Sequence, residues 1–274
     1  MNLKEALKNK LSAEELRILP RAFDVIGSIA IIDIPKKLGK KQKTIAYALM
    51  QQHPNIKTVL KKAGKFQGRL RTRKLQYVAG IKTKEAIYRE NDCLMKLNVE
   101  TCYFSPRLSN ERLEIARQVK KGEKVLVLFS GVGPFGLVIA KNSKANEILM
   151  IELNREATKY AQENIRINKL SNVQAIQGDV KRILPKLKEK FNRIVMARPQ
   201  LKETFLKETF KASKKGTIIY FYDFLKENEI PDSAIKKIQG AAKLTKKKIK
   251  ILAWKKCGEI APYKFRVRID FKVL

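Results

Sequence analysis

Between residues 125 and 222 five short apolar runs alternate with helical segments, and this alternation constrains the fold more than any other feature. The runs cover 125–129, 147–153, 173–177, 193–197 and 217–222. Apolar residues at helical spacing fill 134–141, 155–168, 180–188 and 202–214, and a further helix is expected at about 110–120. Strand and helix in repeated alternation make βαβ units, and so a parallel sheet. Two last β runs, 249–255 and 265–273, are joined by a loop with Gly258 and Pro262, which predicts a terminal antiparallel hairpin.

The first hundred residues keep a different rhythm. Leu3, Leu7, Leu11, Leu16 and Leu19 predict a helix over 3–19, closed by Pro20. A β-rich run over 23–34 ends at Pro35, and a helical segment over 40–53 stops at Pro54. A second β-rich stretch, punctuated by Gly64, Gly68 and Gly80, reaches residue 104. The expected organisation is a small α+β domain over 1–100 and an α/β domain over 101–274.

Charge narrows the partners. Sixty Lys and Arg against 26 Asp and Glu leave +34 at pH 7. Such a field draws in polyanions, and nucleic acid is the leading partner. The competing reading is a lysine-rich surface laced with ion pairs, but 34 positive charges lack an internal counter-ion. Three cysteines without a Cys-x-x-Cys pattern and a single histidine predict no metal site. No stretch is apolar for the 18 residues that a membrane span needs. Charges at the start, in residues 1–5, leave nothing that directs export, and a cytoplasmic location is expected.

The strongest local signal is the run from Val125 through Phe129, Ser130, Gly131, Val132, Gly133, Pro134, Phe135 and Gly136, a strand entering a glycine turn and then a helix. Glu152 ends the next strand, where an acid takes the ribose hydroxyls of an adenosine-containing cofactor. The glycines spell G-x-G-x-x-G, which raises a dinucleotide. Pro134 opposes it, because a pyrophosphate wants the N–H groups at the helix start and proline removes one. S-adenosylmethionine has no phosphate to bind. Asp179, just beyond the third strand, is placed to accept from the adenine amino group. Leu153, Asn154, Gly178, Val180 and Ala197 complete the expected cofactor shell at the strand ends. The competing reading takes Glu152 and Asp179 as helix caps or solvated strand-end acids. Glycine loop, paired acids and terminal hairpin together make the layout of a class I methyltransferase, with a Rossmann-like parallel sheet preceded by the small α+β domain.

Several phrases together resemble the archaeal and eukaryotic tRNA (guanine-37, N1) methyltransferases. They are Ala22-Phe23-Asp24-Val25-Ile26-Gly27-Ser28-Ile29-Ala30-Ile31-Ile32, Arg71-Thr72-Arg73, Tyr103-Phe104-Ser105-Pro106-Arg107-Leu108-Ser109-Asn110-Glu111-Arg112 and Phe129-Ser130-Gly131-Val132-Gly133-Pro134-Phe135. Ala261-Pro262-Tyr263 and Asp270-Phe271 also look like the family's ending. The resemblance implies a monomer that methylates N1 of guanine 37, with the tRNA anticodon stem-loop as partner and S-adenosylmethionine as methyl donor. Two departures stand out. Only 22 residues precede Phe23, where longer members carry an additional small domain, so that domain is expected to be missing. Ala197 stands where the family often has Asn in Asn-x-Pro, so the amide's role must be absent or supplied by a neighbour. Related archaeal enzymes also methylate the tricyclic wyosine precursor at the same nucleotide, which leaves a second activity open.

Guanine N1 is a poor nucleophile until its proton leaves, and charge then builds on O6. The site needs a base near N1 and a cation near O6. The resemblance places Glu111 and Arg71 in these roles, with Arg69 and Arg73 as competitors for the second. Tyr103, Arg107, Arg73 and Pro199 are expected at the substrate, and Arg112 beside them on phosphates, because a base modified on its Watson–Crick edge must be unstacked. Two readings from other classes stay open. One is a non-catalytic RNA-binding protein on the same fold, which Ala197 favours. The other is a dinucleotide oxidoreductase, which Pro134 opposes.

Overall fold

Backbone hydrogen bonding pairs short, mostly antiparallel strands in the first hundred residues and builds an alternating, largely parallel sheet after them. The computed structural model describes residues 3–64 and 66–274. They cluster into two units, Met1–Arg89 with Leu94–Pro106, and Glu90–Cys93 with Arg107–Leu274.

In the first unit the expected helix over 3–19 is two helices, α1 (Leu3–Ala6) and α2 (Ala13–Arg17). Ser12 is the reason. Its hydroxyl accepts the Glu15 N–H at 3.2 Å and its own N–H donates to Glu15 Oε2 at 2.8 Å, a capping box that starts a new helix. The run over 23–34 is likewise a hairpin, β1 (Phe23–Ile26) and β2 (Ile29–Ile32). Gly27 turns it at φ +58°, and a Cβ there would lie 2.2 Å from the Ile87 carbonyl oxygen, so only glycine fits. A 3₁₀ turn, Lys36–Lys41, leads into α3 (Gln42–Gln52). Strands β3 (Thr58–Lys62) and β4 (Leu75–Gly80) complete a sheet of order β1-β2-β3-β4, parallel only between β2 and β3. Ile45, Ala46, Leu49, Ile32, Val59 and Val78 form its core. A two-stranded sheet, β5 (Glu85–Glu90) and β6 (Cys93–Asn98), follows.

The second unit begins with α4 (Ser109–Gln118) and then alternates: β7 (Lys124–Leu128), α5 (Pro134–Asn142), β8 (Glu147–Glu152), α6 (Arg155–Ile167), β9 (Val173–Gln177), α7 (Val180–Ile183), β10 (Phe191–Met196), α8 (Leu206–Lys211) and β11 (Ser213–Lys226). Helix α9 (Asp232–Leu244) precedes the antiparallel pair β12 (Ile249–Ala261) and β13 (Lys264–Val273). The sheet runs β12-β13-β11-β10-β7-β8-β9, parallel from β11 to β9. Strand β13 pairs antiparallel with β11, so the last strand sits inside the sheet. This is the class I methyltransferase arrangement expected from the sequence.

Four local expectations need correction. Helix α7 stops at Ile183 because Pro185 lacks the N–H that would continue it, and a 3₁₀ turn, Leu184–Lys186, takes over. Helix α8 begins only at Leu206, since residues 198–203 wrap around the Arg198 side chain. The turn of the last hairpin is at Pro262 and Tyr263, while Gly258 lies in an irregular part of β12 at φ +116°. Helix α9 was not expected, although Ala234, Ile238, Ala241 and Ala242 bury one face at helical spacing. Among the described residues no helix is long and apolar enough to cross a membrane.

Candidate functional site

In a parallel sheet the ligand crevice opens at the carboxyl ends of the strands, where the strand order reverses. Here that point lies between β7 and β10, which are paired through Leu128 and Met196. The chain leaves β7 through a tight turn with Phe129 at φ +59°, Gly131 at +57° and Gly133 at +94°. Gly133 caps α5, and Pro134 takes the first helical position, where a missing N–H costs nothing. Gly136 serves packing: a Cβ there would meet Met150 Sδ at 2.3 Å.

Glu152, ending β8, is tied to this turn. Its Oε2 accepts the Gly131 N–H and its Oε1 the Asn154 N–H, both at 2.7 Å. Burial pushes its carboxyl above the usual carboxylate range, against the two backbone donors. Gly178 donates its N–H to the Glu152 carbonyl at 2.8 Å, which brings the end of β9 alongside. Asp179 caps α7 through the Lys181 N–H at 2.9 Å, and Asn154 caps α6 through Glu156 and Ala157. The cap reading therefore describes Asp179 and Asn154. It does not describe Glu152, whose Oε2 faces the glycine turn while Oε1 takes the N–H of Asn154. Ser130 is buried with its Oγ lacking any hydrogen-bond partner. A glycine cradle, an acid at its rim and an orphaned buried hydroxyl fit a nucleoside held by hydrogen bonds.

The loop after β10 forms the other wall. Ala197 and Pro199 are half-buried and flank the fully buried Arg198. Phe205, just ahead of α8, meets Phe129 edge-on with ring centroids 5.0 Å apart. Phe135, on α5, contacts Tyr222 of β11 at 5.8 Å between ring centroids. Tyr222 in turn donates its hydroxyl to Glu111 Oε1 at 3.2 Å.

Glu111 lies in the first turn of α4 and is buried. Besides Tyr222 it pairs with Arg268 Nη1 through Oε1 and with Lys255 Nζ through Oε2 at 3.2 Å. Arg268 also binds Glu114 at 2.7 Å and Asp270 at 2.7 Å, and Lys255 has Glu114 at 2.5 Å. Burial, then the Glu111 carboxylate, push the Tyr222 hydroxyl well above the usual tyrosine range, and the same two causes raise the Cys257 thiol. No sequence motif assigns Tyr222, Lys255 or Arg268 to this site. Arg268 and Asp270 share one charged face of β13 with Lys264, Arg266 and Lys272, so alternation along the strand does not single them out.

Arg112 needs correction. It is buried and doubly bonded to Glu90, Nη2 to Oε2 at 2.6 Å and Nε to Oε1, so it anchors α4 and is not free for phosphate. Arg107 is exposed. In the first unit, Arg71 and Arg73 do not lie in a strand but in and beside a turn. Arg71 closes it at φ +54° with its N–H on the Gly68 carbonyl at 3.3 Å. Its guanidinium stands 5.4 Å from the Phe66 ring centroid and 5.9 Å from that of Tyr103, and Arg73 stacks on Phe66 at 4.3 Å. Arg69 is exposed. Among the described residues no group of His, Cys, Asp and Glu could hold a metal ion.

Known proteins match this sequence and fold over nearly the whole of the chain. The TRM5/TYW2 methyltransferase domain is matched over residues 86–252, and the TYW2 N-terminal domain over residues 3–83. The tRNA (guanine(37)-N(1))-methyltransferase Trm5b of Pyrococcus abyssi is 37% identical over 257 residues, covering 94% of this chain and 76% of that protein. The tRNA (guanine(37)-N(1))/4-demethylwyosine(37)-methyltransferase Taw22 of Nanoarchaeum equitans is 32% identical over 305 residues, covering 92% of this chain and all of its own length. Among solved structures, the complex of aTrm5 with tRNALeu superposes with a TM-score of 0.87 at 27% identity, covering 100% of this chain and 78% of that one.

Proposed function

Because the chain belongs to the TRM5/TYW2 methyltransferase family, we propose that it transfers a methyl group from S-adenosylmethionine to N1 of guanine 37 in the tRNA anticodon loop. The observation that carries this reading is the cradle of Gly131, Gly133 and Ser130 closed by Glu152, joined through Phe135 and Tyr222 to Glu111. When bound, S-adenosylmethionine supplies an electrophilic methyl group.

Glu152 takes the ribose hydroxyls and Asp179 the adenine edge, with Phe129, Pro134, Leu153, Asn154, Val180 and Ala197 around them. Glu111 accepts the N1 proton as the bond from N1 to the methyl carbon forms and that carbon's bond to sulfur breaks. Lys255 bonds Glu114 as well as Glu111, so Oε2 is released to substrate without stranding the ammonium. Arg71 meets the charge on O6. Tyr103, Arg107, Arg73 and Pro199 hold the unstacked nucleotide. The test is mass spectrometry of nucleosides from a tRNA transcript with guanine at position 37, incubated with protein and cofactor. The expected product is 1-methylguanosine, and its absence refutes the proposal.

A second reading is favoured by the likeness to Taw22 of Nanoarchaeum equitans, a tRNA (guanine(37)-N(1))/4-demethylwyosine(37)-methyltransferase. The chain also methylates the tricyclic wyosine precursor at the same nucleotide. The same assay on tRNA carrying 4-demethylwyosine tests it.

A further inference from the structure

The segment between β10 and α8 is built around one side chain. Arg198 is buried, and its Nη1 donates to the carbonyls of Pro199 at 3.2 Å, Leu201 at 3.0 Å and Glu203 at 3.2 Å. Its Nη2 binds Asp223 Oδ1 on β11 at 2.8 Å, and Asp223 Oδ2 takes Lys237 of α9 at 2.6 Å. Arg198 Nε is buried with no partner, so the guanidinium stays where it is for the sake of the loop and not for its own full satisfaction. An irregular segment normally leaves its carbonyls to water. Here one fixed, planar group collects three of them.

The far end of the segment is fastened too. Glu203 pairs with Lys181 of α7 at 2.8 Å, and Phe205 packs on Phe129 at the start of the glycine turn. The segment therefore spans the crevice between β7 and β10, and its curvature is set from within by Arg198.

We propose that Arg198 is a positioning residue for the transfer reaction, which holds residues 197–205 in the one shape that lines the acceptor side of the crevice. Asp223 fixes the guanidinium, and the guanidinium fixes the loop. Lysine in place of Arg198 keeps the charge beside Asp223 but cannot reach Asp223 and three carbonyls from one rigid plane. The loop loosens while the glycine turn and Glu152, on other strands, stay as they were. A displacement of about 1 Å in a positioning element costs on the order of 10²-fold in rate.

This inference rests on the methyl-transfer reading. The experiment measures Arg198→Lys against wild type in single-turnover methylation at saturating enzyme and cofactor, with S-adenosylmethionine affinity by calorimetry and amide hydrogen exchange over 200–205. The expected result is a rate lowered roughly 10- to 100-fold, faster exchange confined to 200–205, and cofactor affinity within about threefold of wild type. Should Arg198→Lys fail to fold, Asp223→Asn undergoes the same three measurements with the same expectations. A wild-type rate, or a slowed rate without faster exchange in the loop, overturns the proposal. So does cofactor affinity lost in step with rate, which would place Arg198 in the nucleoside pocket. A wild-type chain that methylates neither guanine 37 nor the wyosine precursor overturns the functional reading itself, and the inference with it.

Discussion

Replacing Glu152 with glutamine separates cofactor recognition from fold maintenance at a single side chain. The carboxylate accepts two backbone N–H groups, from Gly131 and Asn154, at 2.7 Å each. A glutamine keeps one acceptor oxygen and turns an NH2 toward the other donor, so one charge-assisted bond of about 1.5–3 kcal/mol is lost. Against this, the variant no longer buries an ionisable group, the cause that lifts the carboxyl above its ordinary range. The two effects oppose each other, and the net cost to the cofactor-free fold is expected to stay under about 1.5 kcal/mol, roughly 3–6 °C in Tm for a protein this size. Cofactor binding has no such offset, because ribose hydroxyls that donate to a carboxylate lose both charge and one acceptor. Affinity for S-adenosylmethionine should fall roughly 10- to 150-fold. Titration calorimetry and thermal melts on the same samples read both. The carboxyl also sets a pH signature. Wild-type affinity should decline as pH is lowered through the raised pKa of Glu152, and the variant should lack that decline. Stability moves the other way: the contribution of a raised carboxyl is full below about pH 4, where both states are protonated, and is lost as pH rises through the folded value. An affinity within about threefold of wild type in a folded variant would refute the role given to Glu152.

Glu111→Gln should slow single-turnover methylation by about 10²- to 10⁴-fold with little loss of affinity for either substrate, and a near wild-type rate removes Glu111 as the base. The fold should tolerate it, since Arg268 keeps Glu114 and Asp270 and Lys255 keeps Glu114. Arg71→Ala should cost a similar order in the chemical step; a loss repaired by more enzyme would reduce Arg71 to holding the RNA. Binding to tRNA should weaken steeply with salt, each deleted phosphate contact lowering the log–log slope by roughly 0.7–0.9, and a flat dependence would assign the +34 charge elsewhere.

The α/β unit was legible because its apolar strands are buried and alternate with helical segments, and the glycine turn because its backbone needs left-handed angles at Gly131 and Gly133. The first hundred residues misled where one residue overrides a pattern. Five leucines at near-helical spacing read as one helix, yet the hydroxyl of Ser12 divides it. The apolar run over 23–34 hid a turn that Gly27 alone marks. At the site, residue types at strand ends could be read from order along the chain, but the partners of Glu111 could not. Arg268 and Lys255 reach it across pairings that only the folded sheet creates, and neither carries a local motif.

The strand that supplies Arg268 follows every other element described and yet lies between β11 and β12. Its arginine meets Glu111 across 157 residues of sequence. At translation rates of about 5–20 residues per second, that separation corresponds to roughly 8–30 s during which Glu111 has emerged and its arginine has not. Over that interval the acidic first turn of α4 lacks its principal counter-charge, and the sheet has a gap where β13 belongs. Assembly of the proposed proton acceptor is therefore a late event in biogenesis. A nascent chain halted before residue 268 would lack both the arginine beside Glu111 and the side chains of Ile269, Phe271 and Val273, which share one core with Leu128 and Met196 at the strand ends.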